Sequence, residues 1–340
     1  MTALGILWFI LIFVLIIGYF VLDGMDLGVG VLYPFLGKDA RSKQVMLKAV
    51  GPIWDGNEVW LLTAGGALFA AFPAAYATTF SGFYLAVMLV LFGLIVRAVS
   101  LEFGAHDPKW GRVWDACFTV GSFLPALLLG VALGNVIAGV PLAANGDYAG
   151  VPLIGLLSPF TLVVGALGFA MCMAAGAAWV ALKAERASAV HERAEKQRRV
   201  WHVVALVLFA VATVLAFAVV KPQFAPGMLG AGVIFAIAFV ACIAASIAQA
   251  KKGNDLIAFV LQSIAAVCLV ALAAVSLFPN LVVAASGSVG GSITLMNAAS
   301  SDTSLAWMTG IACIGVPLVL VYHVIAYRVF SGRIAEEDVA

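Results

Sequence analysis

Runs of about 20 apolar residues recur nine times along this chain, at roughly 4–35, 52–72, 77–99, 114–139, 158–182, 200–220, 227–249, 255–278 and 304–327. Each is long enough to cross a hydrocarbon core of about 30 Å. Inside that medium a segment must satisfy its own backbone polar groups, so the runs have to be helices. Hydrophobic residues make up 64% of the 340 and charged residues 10%, which excludes a soluble globular chain. The expectation is an all-α integral membrane protein of nine transmembrane helices, forming one polytopic domain over 1–340. The first run has too few basic residues at its start for a signal peptide, and no cleavage site precedes a soluble domain. It reads as a retained span.

The placement of charge orients these spans. Lys38, Arg41, Lys43 and Lys48 follow span 1, and Arg97, Lys109 and Arg112 close or follow span 3. Lys183, Arg186, Arg193, Lys196, Arg198 and Arg199 follow span 5, Lys251 and Lys252 span 7, and Arg328 and Arg333 span 9. Only Lys221 falls on the other side. Such an asymmetry puts the N-terminus outside and the C-terminus in the cytoplasm. The charged stretch 183–199 reads as a solvated face that could extend span 5 as a helix. The stretch 280–303 is small, polar and nearly uncharged, and reads as a cap on the helices. No internal repeat is visible. Nucleic acid is not an expected partner, whereas membrane lipid is.

Cysteine and histidine carry little chemistry here. Cys117, Cys172, Cys242, Cys268 and Cys313 all fall in apolar spans without a CxxC pair, as small core residues do. His106 and His191 fall in cytoplasmic loops, and His202 and His323 near cytoplasmic helix ends. They read as solvated or interfacial. None pairs across a span as a bis-histidine haem site requires, and no metal site is expected.

Acids are the exception to the apolar rule. Asp23 and Asp26 lie in the inner part of span 1, and Asp55 and Glu58 at the inner start of span 2. A charge deep in a spanning helix costs roughly 2.5–3.5 kcal/mol, so such residues are paired, protonated or wetted. Members of each pair are three residues apart and share a helix face. Arg97 is the natural counter-ion, and Asn57 can hydrogen-bond a carboxylate. Two carboxylates in contact in a poor dielectric do not both ionise easily, which suits proton carriage. Two plainer readings stand beside this one. Asp55 and Glu58 could serve the dipole of a helix start, and Asp23 and Asp26 could knot helices together. Gly24 and Gly28, and Gly65 and Gly66 after the second pair, are expected to allow close helix packing.

These same residues carry a resemblance. VLDGMDLGVGVLYPFLG and WDGNEVWLLTAGGALFAAFPAAYATTFSGFY resemble the N-terminal signature of subunit II of the cytochrome bd quinol oxidases. GSFLPALLLGVALGNVIAGVPL, LFPN, SITLMNAASSDTSL and SGRIAEED extend the likeness, which is thin from about 150 to 250. It implies two four-helix bundles plus one peripheral helix in a bacterial plasma membrane. It further implies a partner subunit I that carries haem b558, haem b595 and haem d, with quinol as substrate of the complex. Small accessory subunits and a bound quinone or lipid are compatible with it. The resemblance implies a subunit required for assembly and implicated in cytoplasmic proton supply. By motif, Asp23 and Asp26 take the place of the family's span-1 acids, Asp55 that of the acid in its WDGN motif, and Arg97 that of the basic residue closing span 3. The family often has glutamine in place of Glu58, which favours Asp55 over Glu58 for a proton role. The alternatives from the residues alone are a proton-coupled secondary transporter and a purely structural assembly subunit.

Overall fold

The computed structural model describes residues 2–335. Glu336 to Asp338, the end of the SGRIAEED match, lie outside the described residues. The helices run α1 (Ala3–Leu36), α2 (Ala40–Val50), α3 (Trp54–Ala71), α4 (Pro73–Gly82), α5 (Tyr84–Phe103) and α6 (Gly111–Ala138). They continue with α7 (Pro159–Lys183), α8 (Ala189–Leu215), α9 (Met228–Lys251), α10 (Asp255–Leu277), α11 (Leu295–Ala298) and α12 (Asp302–Val329). Eight are long and apolar enough to cross a membrane: α1, α5, α6, α7, α8 with its continuation to Val220, α9, α10 and α12. The expected span over 52–72 is α3, 18 residues long, whose polar first turn lowers its hydropathy below that of the others.

α1 is the centre of the molecule. It packs on α3, α6, α7 and α10, so that the whole stretch Asp23–Tyr33 is buried, polar residues included. Its closest neighbour is α7. A Cβ built on Gly28 would sit 1.9 Å from the Cys172 carbonyl oxygen, and one on Gly176 would sit 2.4 Å from the carbonyl carbon of Gly28. Only two glycines permit that approach. Gly24, one turn away, leaves ordinary contact with the Cys172 thiol at 3.5 Å. Gly65 and Gly66 differ from expectation. Gly66 faces open space, and Gly65 would meet only Phe80 at 3.8 Å. The buried stripe of α3 runs through Asn57, Trp60, Ala64 and Ala71, and the two glycines fall off it.

Around this centre, α5 packs on α6 and α6 on α7. α7, α8, α9 and α10 pack as neighbours of one another. α12 packs mainly on α1 and α3, meets α7 where Tyr327 lies 5.8 Å from the Trp179 ring, and leaves most of its apolar surface exposed.

Three segments differ from the sequence reading. The basic stretch after span 1 is a helix, α2, with the Asp39 carboxylate accepting the Ser42 amide at 2.8 Å as its cap. Ser42, Val45, Met46, Ala49 and Val50 form its buried stripe. The span expected at 77–99 is two helices. Pro73 starts the short α4, the chain breaks at Phe83, and the long helix is α5, ending at Phe103. The charged stretch 183–199 does not extend α7. It turns after Lys183, restarts at the Ser188 cap, and lies on the first turns of α8.

The segment 280–303 folds as a small lid. β1 (Asn280–Val282) pairs antiparallel with β2 (Ile293–Thr294), and α11 follows. It packs on α4, α6, α10 and the start of α1. Among the cysteines, Cys172 and Cys268 are buried, but Cys313 is exposed on α12 because that helix has so few neighbours.

A buried carboxylate–arginine cluster

The polar residues of α1, α3 and α5 meet inside the molecule. Arg97 of α5 has no exposed surface. Its Nη2 donates to Asp23 Oδ1 at 2.6 Å and to Glu58 Oε2 at 3.2 Å. Its guanidinium carbon lies 5.9 Å from the centre of the Trp54 ring. Asp26, one turn along α1, is 2% exposed, and its Oδ2 accepts the Asn57 carboxamide at 2.7 Å. Asn57 Oδ1 in turn accepts the Tyr327 hydroxyl of α12 at 3.2 Å. One turn along both helices, Trp60 Nε1 donates to His323 Nε2 at 3.1 Å. The other ring nitrogen of His323 faces the Val319 carbonyl at 2.9 Å.

Five polar atoms in this cluster are buried without a hydrogen-bond partner: Asp23 Oδ2, Asp26 Oδ1, Arg97 Nε, Arg97 Nη1 and the Tyr19 hydroxyl. Buried polar atoms are otherwise nearly always satisfied, by protein or by ordered water. Here the unpartnered atoms gather around a single buried ion pair.

Asp23, Asp26, Asn57, Glu58 and Arg97 are thus brought together, and Asp55 is not. It is exposed in the first turn of α3 and makes no ion pair with Arg97. The pattern of burial supplies the reason. Asp55 and Asn57 are two residues apart, about 200° around the helix, so burying one turns the other outward. Asp55 sits where an acid complements a helix dipole. Glu58, placed second by the sequence, is the α3 acid that reaches Arg97. Tyr19, Tyr327, Trp60 and His323 were not singled out as site residues. A tyrosine four residues from Asp23 was the one available signal.

The histidines also depart from expectation. His191, His202 and His323 are buried. His191 Nδ1 faces the Ala181 carbonyl at 2.9 Å, and His202 Nε2 faces Gln262 Oε1 at 2.7 Å. Only His106 is exposed. Each buried ring is held by a partner on another turn or helix, which sequence position alone does not reveal.

A second polar knot ties the ends of α7, α8, α10 and α12. Asp255, 2% exposed, accepts from Arg333 at 2.6 Å and from Arg198 at 3.4 Å. Arg333 also donates to the Ala181 carbonyl at 3.0 Å, and the Ile334 amide donates to the Lys183 carbonyl at 2.7 Å. Lys183 closes the clip by donating to the Phe330 and Gly332 carbonyls. His191, Glu195 and Asp255 approach within 4.8 Å of one another, as metal ligands could. The guanidinium groups already on Asp255 oppose a cation there.

Together the fold and its core define a multi-pass α-helical membrane protein built around a buried carboxylate–arginine cluster. Residues 4–330 match the family described as cytochrome bd terminal oxidase subunit II, and the chain belongs to that family. It is 34% identical to the cytochrome bd-I ubiquinol oxidase subunit 2 of Escherichia coli (strain K12), over 99% of this chain and 97% of that one. It is 32% identical to the cytochrome bd ubiquinol oxidase subunit 2 of Bacillus subtilis (strain 168), over 99% of both. Its fold is similar to a chain of the bd oxidase from Geobacillus thermodenitrificans, with TM-score 0.78 at 13% identity, covering 97% of this chain and 99% of that one. With its long apolar helices and bacterial relatives, it is a multi-pass protein of the bacterial plasma membrane.

Proposed function

We propose that this chain is the subunit of a cytochrome bd quinol:oxygen oxidoreductase that ligates no haem. In this reading it scaffolds a partner subunit I bearing haems b558, b595 and d. It also feeds protons from the cytoplasm toward oxygen reduction. Nine helices cross the membrane, α3 being the ninth, as two four-helix bundles (α1, α3, α5, α6 and α7–α10) with α12 peripheral. The N-terminus is outside. The engagement of the buried histidines with Ala181, Gln262, Trp60 and Val319 supports haem on the partner, because no two face each other as axial ligands. Quinol is then the substrate of the complex and not of a site on this chain.

One observation carries the proton role. Asp23, Asp26, Glu58 and Arg97 converge with five unpartnered polar atoms in the inner half of the protein under that orientation. A carboxylate cluster able to hold water takes and passes protons. The competing reading, an ion pair that only knits α1 to α5, rests on the same 2.6 Å contact.

The Asp23→Asn variant separates the two. Its carboxamide hydrogen-bonds but does not exchange protons at neutral pH. For a proton path, the purified complex keeps its haem spectrum and quinol oxidation per haem d slows severalfold. Wild-type turnover in a fully assembled variant rejects the proton role.

A further inference from the structure

A narrow cleft of about 10 Å³, room for about one water, opens beside Pro52 and Lys48, where α2, the turn into α3, α7 and the end of α12 come together. Ala49, Ile53, Trp179, Lys183, Tyr327 and Phe330 line the rest of it. Tyr327 thus has two faces. Its ring walls the cleft, and its hydroxyl donates to Asn57 Oδ1 at 3.2 Å. Behind Asn57 lies Asp26, bound through Oδ2 at 2.7 Å, with Oδ1 buried and unpartnered. The order is therefore cleft, Tyr327, Asn57, Asp26.

That order is closed to protons as it stands. A carboxamide does not relay a proton at neutral pH, and both ends of Asn57 are engaged. From the cleft, the contacts lead to Asp26 through Tyr327 and then Asn57. The barrier is thin, being one aromatic ring and one hydrogen bond, on a helix with few other neighbours. The turn beyond it is shut by the Trp60–His323 bond.

We propose that Tyr327 is the positioning residue at the cytoplasmic inlet, a side-chain gate that separates cleft water from the Asp26 carboxyl. The gate admits water when its hydroxyl swings off Asn57 toward the cleft. Asp55, exposed and outside the cluster, is not on this route. The proposal rests on the reading that Asp26 handles protons, but its test does not depend on turnover.

A water-soluble carbodiimide with a small amine modifies carboxyl groups that it can reach. The assembled complex in inside-out vesicles is treated, and modification at Asp26 and Asp55 is followed by peptide mass spectrometry. Tyr327→Ala is expected to raise the rate at Asp26 by about fivefold or more, because local access sets that rate. The rate at exposed Asp55 stays unchanged. Tyr327→Phe keeps the ring but loses the hydrogen bond to Asn57, and its rate at Asp26 is expected to fall between wild type and Tyr327→Ala. Tyr327→Leu preserves apolar packing and carries the same expectation as alanine should the alanine variant assemble poorly. An intact haem spectrum with unchanged Asp26 modification in both Ala and Leu variants overturns the gate. Faster modification together with unchanged turnover in Asp23→Asn upholds the gate and rejects the proton-supply reading. Unchanged modification with slowed turnover in Asp23→Asn does the reverse.

Discussion

Arg97 and Asp23 meet at 2.6 Å, and neither side chain has any exposed surface. An ion pair so placed depends on its cation. Removing Arg97 leaves the Asp23 carboxylate buried and uncompensated, at a cost of about 3–5 kcal/mol, whereas Asp23→Asn keeps a hydrogen-bonding oxygen and leaves Glu58 on Arg97 at 3.2 Å. Replacing both with apolar residues of similar volume is often neutral.

Arg97→Met alone is therefore expected to abolish or sharply reduce recovery of the assembled complex. Asp23→Leu combined with Arg97→Met is expected to restore much of the yield, read as haem per milligram of membrane protein. Turnover per haem is not expected to return with it. Recovery of both together would leave the pair with a purely structural role.

The two acids of α3 should separate cleanly. Asp55 is exposed and outside the cluster, whereas Glu58 shares Nη2 of Arg97 with Asp23. Asp55→Asn is expected to keep turnover within about twofold of wild type, as surface changes usually do. Glu58→Gln is expected to slow quinol oxidation severalfold with normal spectra. The reverse order of effects would mean that the α3 residues rearrange in the complex.

Acid should loosen α2 through its cap. The Ser42 amide and hydroxyl both donate to Asp39, and the amide bond first among these holds its carboxyl below the usual carboxylate range. A group whose folded value is lowered contributes stability above its ordinary value and loses it as pH falls through the lowered one. Amide protection at the start of α2 is thus expected to be flat near neutrality and to fall only on acidification below that range. Asp39→Asn keeps a capping oxygen and should remove this dependence, and Asp39→Ala should cost about 1 kcal/mol of local helix stability at neutral pH. Hydrogen exchange of the detergent-solubilised complex reads all three.

Glycine positions give a contrast within one protein. Gly28→Ala forces a methyl group into the Cys172 carbonyl, where a shift of α1 against α7 is the only relief. Overpacking of this kind costs about 1–3 kcal/mol or more, so reduced assembly is expected. Gly66→Ala meets nothing within 4 Å and should leave assembly unchanged or improved by its helix propensity. Thermal inactivation midpoints of the two complexes, side by side, decide this.

Much of the architecture was legible because lipid-crossing helices announce themselves by length and composition. α1, α6, α7, α9, α10 and α12 needed no more than that. α2 did not, since 11 residues with Arg41, Lys43 and Lys48 look like a polar loop until the spacing of Val45, Met46 and Ala49 is set against a neighbour. The acid cluster was half legible. Asp23, Asp26 and Arg97 stand out as charges where lipid forbids them, but the choice between Asp55 and Glu58 depends on helix phase, which one buried residue, Asn57, fixes. Tyr327 and His323 were out of reach, because their partners lie 270 and 263 residues away.

That separation bears on how the protein is made. α3 is synthesised early, and the two side chains that match Asn57 and Trp60 arrive on the last helix. Until then the carboxamide oxygen of Asn57, whose amide already donates to Asp26, and the Trp60 N–H lack these partners, at the cost of polar groups in a membrane. The seam between α3 and α12 therefore closes only once α12 has been made. A product cut short before α12 keeps the other long apolar helices yet leaves the Asn57 oxygen and the Trp60 N–H without these partners.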